Sequence, residues 1–200
     1  MFNVRYTSPL KDGLGRAIVL LALAMRWPFS SPEWSHVDER AFVLYPLGFW
    51  GGDFNPHFFN YPTLTLYVAS ALYYVYFLLF SAESLDYFVA HRHFVDPADL
   101  LAIARTANTL VSAVTVAVCM ATAGRLYGRT GGYLAGVVLA VMPLHARFAH
   151  LAITDVAAGF FTALAVLYGV KIVQERRWGD IVLAGVYAGL AAASKYPAGL

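Results

Sequence analysis

The stretch "ARTANTLVSAVTVAVCMATAGRLYGRTGGYLAGVVLAVMPLHARFAHLAITD", residues 104–155, holds two long apolar runs around a short basic break. The runs predict helices over about 99–124 and 131–147, each close to the ~20 apolar residues that cross a bilayer. Arg125 and Arg129 flank the break, and Gly131-Gly132 is its natural hinge. At the far end, Thr154 reads as a helix N-cap with Asp155 in the first turn. Working outward, further apolar segments predict helices at about 14–29, 62–80, 155–173 and 180–200.

Composition agrees with a polytopic membrane bundle. Of 200 residues, 60% are hydrophobic and 13% charged, against ~25% charged in soluble domains. Aromatic residues make up 16% and gather near segment ends, as interfacial belts do. The single cysteine, Cys119, lies in an apolar run, so the chain forms no internal disulfide. The first apolar run is followed by "MRWPFSSPEW", not by a small-residue cleavage site, and reads as a retained helix. The last run stops without a polar flank, which predicts an N-terminal portion of a longer protein.

Lys and Arg set the orientation. Arg5, Lys11 and Arg16 stand at the start of the first helix, Arg125 and Arg129 follow the third segment, and Lys171, Arg176 and Arg177 sit in "KIVQERRW" at the end of the fifth. If all three clusters are cytoplasmic, "SHVDER" and "HARFAHLAITD" face outside. Six spans in alternation would separate those stretches, so one segment must not cross. The segment 62–80, with its tyrosines and acidic flanks, is the expected exception: an interfacial or re-entrant helix in one long external loop. All six histidines and nine of twelve acids then lie outside; Asp12, Glu175 and Asp180 stay inside.

That external set supplies the candidates. Asp38 and Glu39 form an acidic pair in "SHVDERAF". A carboxylate against apolar walls loses hydration and becomes a better base. The plainer reading is a solvated pair at a helix start capped by Ser35. Asp155 opens a helix at the membrane edge beside His145, Arg147 and His150, which can pair with it or hold an anion. The plainer reading is an interfacial cap. His145 and His150 also have the spacing of a metal pair, a weak signal without a third ligand. Arg105 and Lys195 are cations inside apolar runs that need an anion: a lipid phosphate, or an internal carboxylate. The turn "DFNPHFFNYP", 53–62, carries His57, Asn60 and Tyr61 and suits either a sugar or lipid site or a packed loop.

In order and spacing, "HVDERAFV", "NPHFFNYPTLTLYV", the 104–155 stretch and "GLAAASKYPAGL" resemble the N-terminal part of GT-C fold membrane glycosyltransferases. They are most similar to family 39, which holds protein O-mannosyltransferases and aminoarabinose-lipid A transferases. The resemblance covers nearly all of the chain. It implies an external catalytic base, here Asp38 with Glu39 beside it, a second acid at Asp155, and membrane-parallel helices in the first external loop. In the aminoarabinose branch a charged, metal-binding residue precedes the Tyr-Pro pair. Asn60-Tyr61 stands here, which counts against a metal and against lipid A.

The expected reaction is sugar transfer from a polyprenyl-phosphate donor to a protein, lipid or glycan hydroxyl outside the cytoplasm. Its partners are that donor, the acceptor and membrane lipid, with no nucleic acid. No cofactor is demanded; a divalent metal is one source of charge stabilisation beside Arg105, Arg147 and Lys195. Two other classes fit parts of the pattern. One is a transporter or channel with Asp155, Arg105 and Lys195 on an ion path. The other is a non-catalytic membrane partner of a larger assembly.

Overall fold

The computed structural model describes residues 8–27 and 33–199. Arg5 and the expected end of the first span at residue 29 lie outside them. The described residues fold into helices α1 (Gly13–Arg26), α2 (Glu39–Gly48), α3 (Leu64–Phe80), α4 (Leu85–Phe94), α5 (Ala98–Val141), α6 (Pro143–Ala149), α7 (Asp155–Glu175) and α8 (Trp178–Ser194), with no strand among them.

The decisive stretch forms a helical hairpin. Gly128 has φ 76° and ψ −179°, which breaks α5 into arms 98–127 and 129–141. A side chain at this φ would be strained, and glycine is not. The hinge expected at Gly131-Gly132 therefore sits at Gly128. Gly132 serves close packing instead: a Cβ there would lie 2.9 Å from the Met120 carbonyl oxygen and 2.7 Å from Pro9 Cγ. The folded-back arm buries Ala140 against Val116 and Met120, with Ile18 and Ala22 of α1 completing the cluster.

The second arm stops at Val141, short of the expected 147. Met142 before Pro143 is extended, at ψ 116°, as the residue before proline prefers. Residues 143–149 then form the separate helix α6. α8 likewise ends at Ser194 rather than running to 200. Lys195 is its extended C-cap, followed by the 3₁₀ turn Tyr196–Gly199. Lys195 thus sits at the mouth of the bundle, not deep in an apolar run. Thr154 holds the N-cap position of α7, but its side chain makes no cap bond and its Oγ1 is buried without a partner.

Helix α2 follows the helix start read in "SHVDERAF", whereas α4 was not anticipated, its segment being too short and too mixed in character to stand out by periodicity. With α3 they form a subassembly whose core is Val43, Leu44, Leu47, Tyr73 and Phe88, closed against Leu100 and Leu101 of α5. Trp50 joins the three helices: its indole N–H donates to Ser70 Oγ at 2.9 Å and its ring stacks 6.0 Å from Phe88.

Helices α5 and α7 are long and apolar enough to cross a membrane. In α7 an 18-residue window has mean hydropathy 1.9 yet is 11% buried. A soluble core helix of that composition would be enclosed, so its outer face needs an apolar surround. At 17 residues each, α3 and α8 are ~26 Å long, shorter than a ~30 Å hydrocarbon layer.

Candidate functional site

The site lies where α7 begins and α8 ends. Asp155, at the start of α7, accepts a hydrogen bond from Lys195 Nζ at 2.6 Å. Lys195 lines a cavity of about 530 Å³ with Asp38, Ala41, Phe58, Asn60 and Tyr61. Tyr61 donates its hydroxyl to Asp38 Oδ2 at 2.9 Å, and Lys195 Nζ sits 6.0 Å from the Tyr61 ring centre. The hydrogen bond to Asp38, burial, and the charges of Asp38 and Asp155 push the Tyr61 phenol above its ordinary range. It stays protonated and remains a donor. Among the described residues, Asp38 Oδ1 accepts no hydrogen bond, and His36 is its nearest basic neighbour, at 3.7 Å from Oδ2. His36 Nδ1 accepts from the Asp38 backbone N–H at 3.2 Å.

Glu39 faces the other way. Its side chain is fully buried and pairs with Arg105, itself 3% exposed, at 2.8 Å. Its oxygens also accept from the backbone N–H groups of Ser35, His36 and Ala152 at 2.8, 3.0 and 2.9 Å. Burial alone would raise the Glu39 carboxyl. Arg105 and the N–H groups of Ala152 and Ser35 outweigh it and hold the group below its ordinary value. Glu39 therefore does not reach the cavity, contrary to its expected place in the catalytic pair. Arg105 is committed to Glu39, the Glu33 carbonyl and Ser35 Oγ, not open to a lipid phosphate. Ser35 caps no helix; Asp38 holds the N-cap position of α2. The pair is a brace that ties the chain before Asp38 to the segment leading to Asp155. Asn108 adds to it, donating to the carbonyls of Leu151 and Ile153 at 2.6 and 2.9 Å.

The imidazoles disperse. His145 Nδ1 accepts from Arg26 at 2.8 Å. Burial, then the Arg26 charge, pushes its pKa down to about 4, so it is neutral near pH 7 and offers no cation to an anion. Arg26 was not anticipated. It is completely buried and also donates to Ser112 Oγ and to the carbonyls of Ala22, Leu139 and Ala140. Its signal in sequence is a single Arg at the end of an apolar run, and its acceptors are mostly backbone oxygens that no residue type announces. Arg147 is exposed on α6; His150 is half-buried with Nε2 enclosed and unpartnered. Neither touches Asp155 by a hydrogen bond or ion pair. His57 pairs with Asp53 at 2.8 Å in an exposed loop beside the cavity. No group of three or more potential metal ligands occurs among the described residues. Asp155, Arg105 and Lys195 form two closed ion pairs with separate partners rather than a line of charges.

Behind the acidic cavity lies a second, apolar one of about 170 Å³ between α3, α5 and α7, lined by Leu72, Val111, Phe160 and Phe161 among others. Phe42 lines it and packs edge-on to Tyr61 at 5.1 Å, so one aromatic contact separates the two spaces.

An apolar helical bundle with a polar, cation-bearing cavity at one end defines a membrane-associated protein with a site at its surface. Residues 99–200 match the family described as dolichyl-phosphate-mannose-protein mannosyltransferase, and the chain belongs to that family. Arg105, Asp155 and Lys195 fall inside the matched stretch; Asp38, Glu39 and Tyr61 precede it. Neither the curated proteins nor the solved structures compared with the chain return a match.

Proposed function

We propose that the protein transfers a sugar from a polyprenyl-phosphate carrier to an acceptor hydroxyl on the extracytoplasmic face, as a multi-pass enzyme of the GT-C fold and glycosyltransferase family 39. One observation carries the reading: Asp38 and Lys195 face a single cavity, the first without an Arg or Lys partner, the second steadied by Asp155. A carboxylate and an ammonium across a shared space suit a reaction that takes a proton on one side and releases a phosphate on the other.

Asp38 Oδ1 accepts the acceptor's proton as that oxygen attacks the anomeric carbon. The bond between that carbon and the phosphate oxygen breaks, its electron pair leaves with the polyprenyl phosphate, and the anomeric centre inverts. A phosphate is a good leaving group, so charge stabilisation by Lys195 replaces a general acid. Tyr61 fixes Asp38, and Asp155 fixes Lys195. The apolar cavity behind Phe42 suits the first part of the carrier's chain. In this reading α1, both arms of α5, α7 and α8 cross the membrane and α3 lies at its outer surface.

The test is transfer from polyprenyl-phosphate sugars in membranes containing the protein, wild type against Asp38→Asn at matched levels. A loss of ~100-fold or more is expected for a missing general base. A mutant equal to wild type removes Asp38 from the chemistry, and no transfer from any such donor overturns the function.

A further inference from the structure

The cavity that holds Asp38 and Lys195 carries one polar group that the chemistry above leaves idle. Its polar lining is Asp38, Asn60, Tyr61, Lys195 and Tyr196. Tyr61 gives its O–H to Asp38 Oδ2, Lys195 gives an N–H to Asp155, and Tyr196 gives its O–H to the Phe59 carbonyl at 3.3 Å. Asn60 differs. Among the described residues its side chain makes no hydrogen bond. An uncharged amide neither takes the acceptor's proton nor steadies the phosphate. It offers an acceptor oxygen and an NH₂ donor group.

The residues on either side fix where that amide stands. Tyr61, next along the chain, is tied to Asp38 at the start of α2. Phe59, just before, is tied to Tyr196 in the turn after α8, beside Lys195. Asn60 therefore stands between the wall that carries the base and the wall that carries the ammonium. In the reaction above, the group between those walls is the sugar ring, whose anomeric carbon joins the attacking oxygen to the leaving phosphate. A sugar hydroxyl both donates and accepts, and so does the amide. A carboxylate or an ammonium offers only half of that match.

We propose that Asn60 is a specificity-determining residue: its amide hydrogen-bonds a hydroxyl of the sugar on the donor, and so selects among sugars by where that hydroxyl stands. This role rests on the function proposed above and adds to it. Asp38 and Lys195 act at the anomeric carbon and its two oxygens, which every donor sugar presents alike. Asn60 meets the part of the ring in which sugars differ. The side chain is exposed and holds no other element in place, so Asn60→Ala removes the contact and spares the fold.

The test compares wild type with Asn60→Ala on polyprenyl-phosphate mannose and its monodeoxy analogues, each lacking one ring hydroxyl. For each analogue the measured quantity is the ratio of kcat/KM for the parent donor to kcat/KM for the analogue. For the analogue that lacks the bonded hydroxyl, this ratio should be about tenfold smaller in Asn60→Ala than in wild type, the size of one hydrogen bond. The intrinsic reactivity of each deoxy sugar and the amount of folded protein cancel in the comparison. Equal ratios in the two proteins across the whole series, with transfer running, overturn the role of Asn60 and leave the function standing. Where nothing is transferred, the same ratios are read as equilibrium affinities of these donors for the protein in detergent. A ratio that shrinks in Asn60→Ala then supports the sugar contact, and only the proposed transfer is defeated. Equal affinity ratios there, or no binding of any of these donors, overturn both.

Discussion

The two ends of the bundle use their carboxylates differently. At the end holding the Gly128 turn, each acid has a cation. Asp12 is bound by Arg129 and Tyr133, Glu175 by Arg125 at 2.8 Å and Arg177 at 3.1 Å, and Asp180 by Lys171 at 2.6 Å. At the other end Glu39 and Asp155 are paired as well, but Asp38 has a tyrosine on Oδ2 and a histidine 3.7 Å away, and it faces Lys195 only across the cavity. Charge balance closes one end and leaves a usable base at the other. The comparison also separates neighbours in sequence: Glu39 is structure, Asp38 is the group with capacity left.

The contrast is broken most severely at Glu39. Glu39→Ala leaves Arg105 buried and uncompensated, at a cost of ~3–5 kcal/mol, measured by denaturant unfolding in detergent. Replacing both partners with leucine should recover much of that, since the desolvation penalty goes with the charges. An undiminished stability in Glu39→Ala would mean that the brace holds nothing.

A second effect is pH-dependent. His145 is depressed to about 4 from an unfolded value of ~6.5. Below ~6.5 the unfolded chain takes up a proton that the folded one refuses. Its contribution is therefore complete above that pH and is lost as pH falls toward 4. Melting temperature should drop across that window, and His145→Asn should flatten the drop.

Smaller effects sharpen the picture of the open end. Tyr61→Phe removes one hydrogen bond to Asp38, worth ~1 kcal/mol, so transfer should fall about fivefold with unfolding little changed. Asp12→Asn, at the closed end, should leave transfer at the wild-type rate; a loss there would mean that the two ends are coupled.

Much of this was legible because membrane helices announce themselves by length and apolarity. The all-helical class, the paired runs of the 104–155 stretch and the start of α7 follow from pattern alone. The precise hinge did not, because three glycines compete for it and only packing decides that Gly132 must touch Met120 while Gly128 turns. The pairing of Lys195 with Asp155 was among the options that charge alone allows, since a cation near an apolar run needs an anion. The division of labour within Asp38-Glu39 was not, because it depends on which carboxylate reaches Arg105, 66 positions on from Glu39. Arg26 escaped for a different reason: a guanidinium satisfied by helix carbonyls leaves no matching acid in the sequence.

The brace has a consequence for how the protein is made. Glu39 is held by Arg105 and by the N–H of Ala152, 113 positions further along the chain. A ribosome adding roughly 5–20 residues per second finishes that interval only after about 6–23 seconds. Until then the loop bearing Asp38 is tied to α5 through the Glu39–Arg105 pair but lacks the Ala152 contact that closes it against the segment leading to α7. The open end is therefore completed late: Lys195, which lines its cavity, follows α8, so the cavity is not whole until both α7 and α8 have been synthesised.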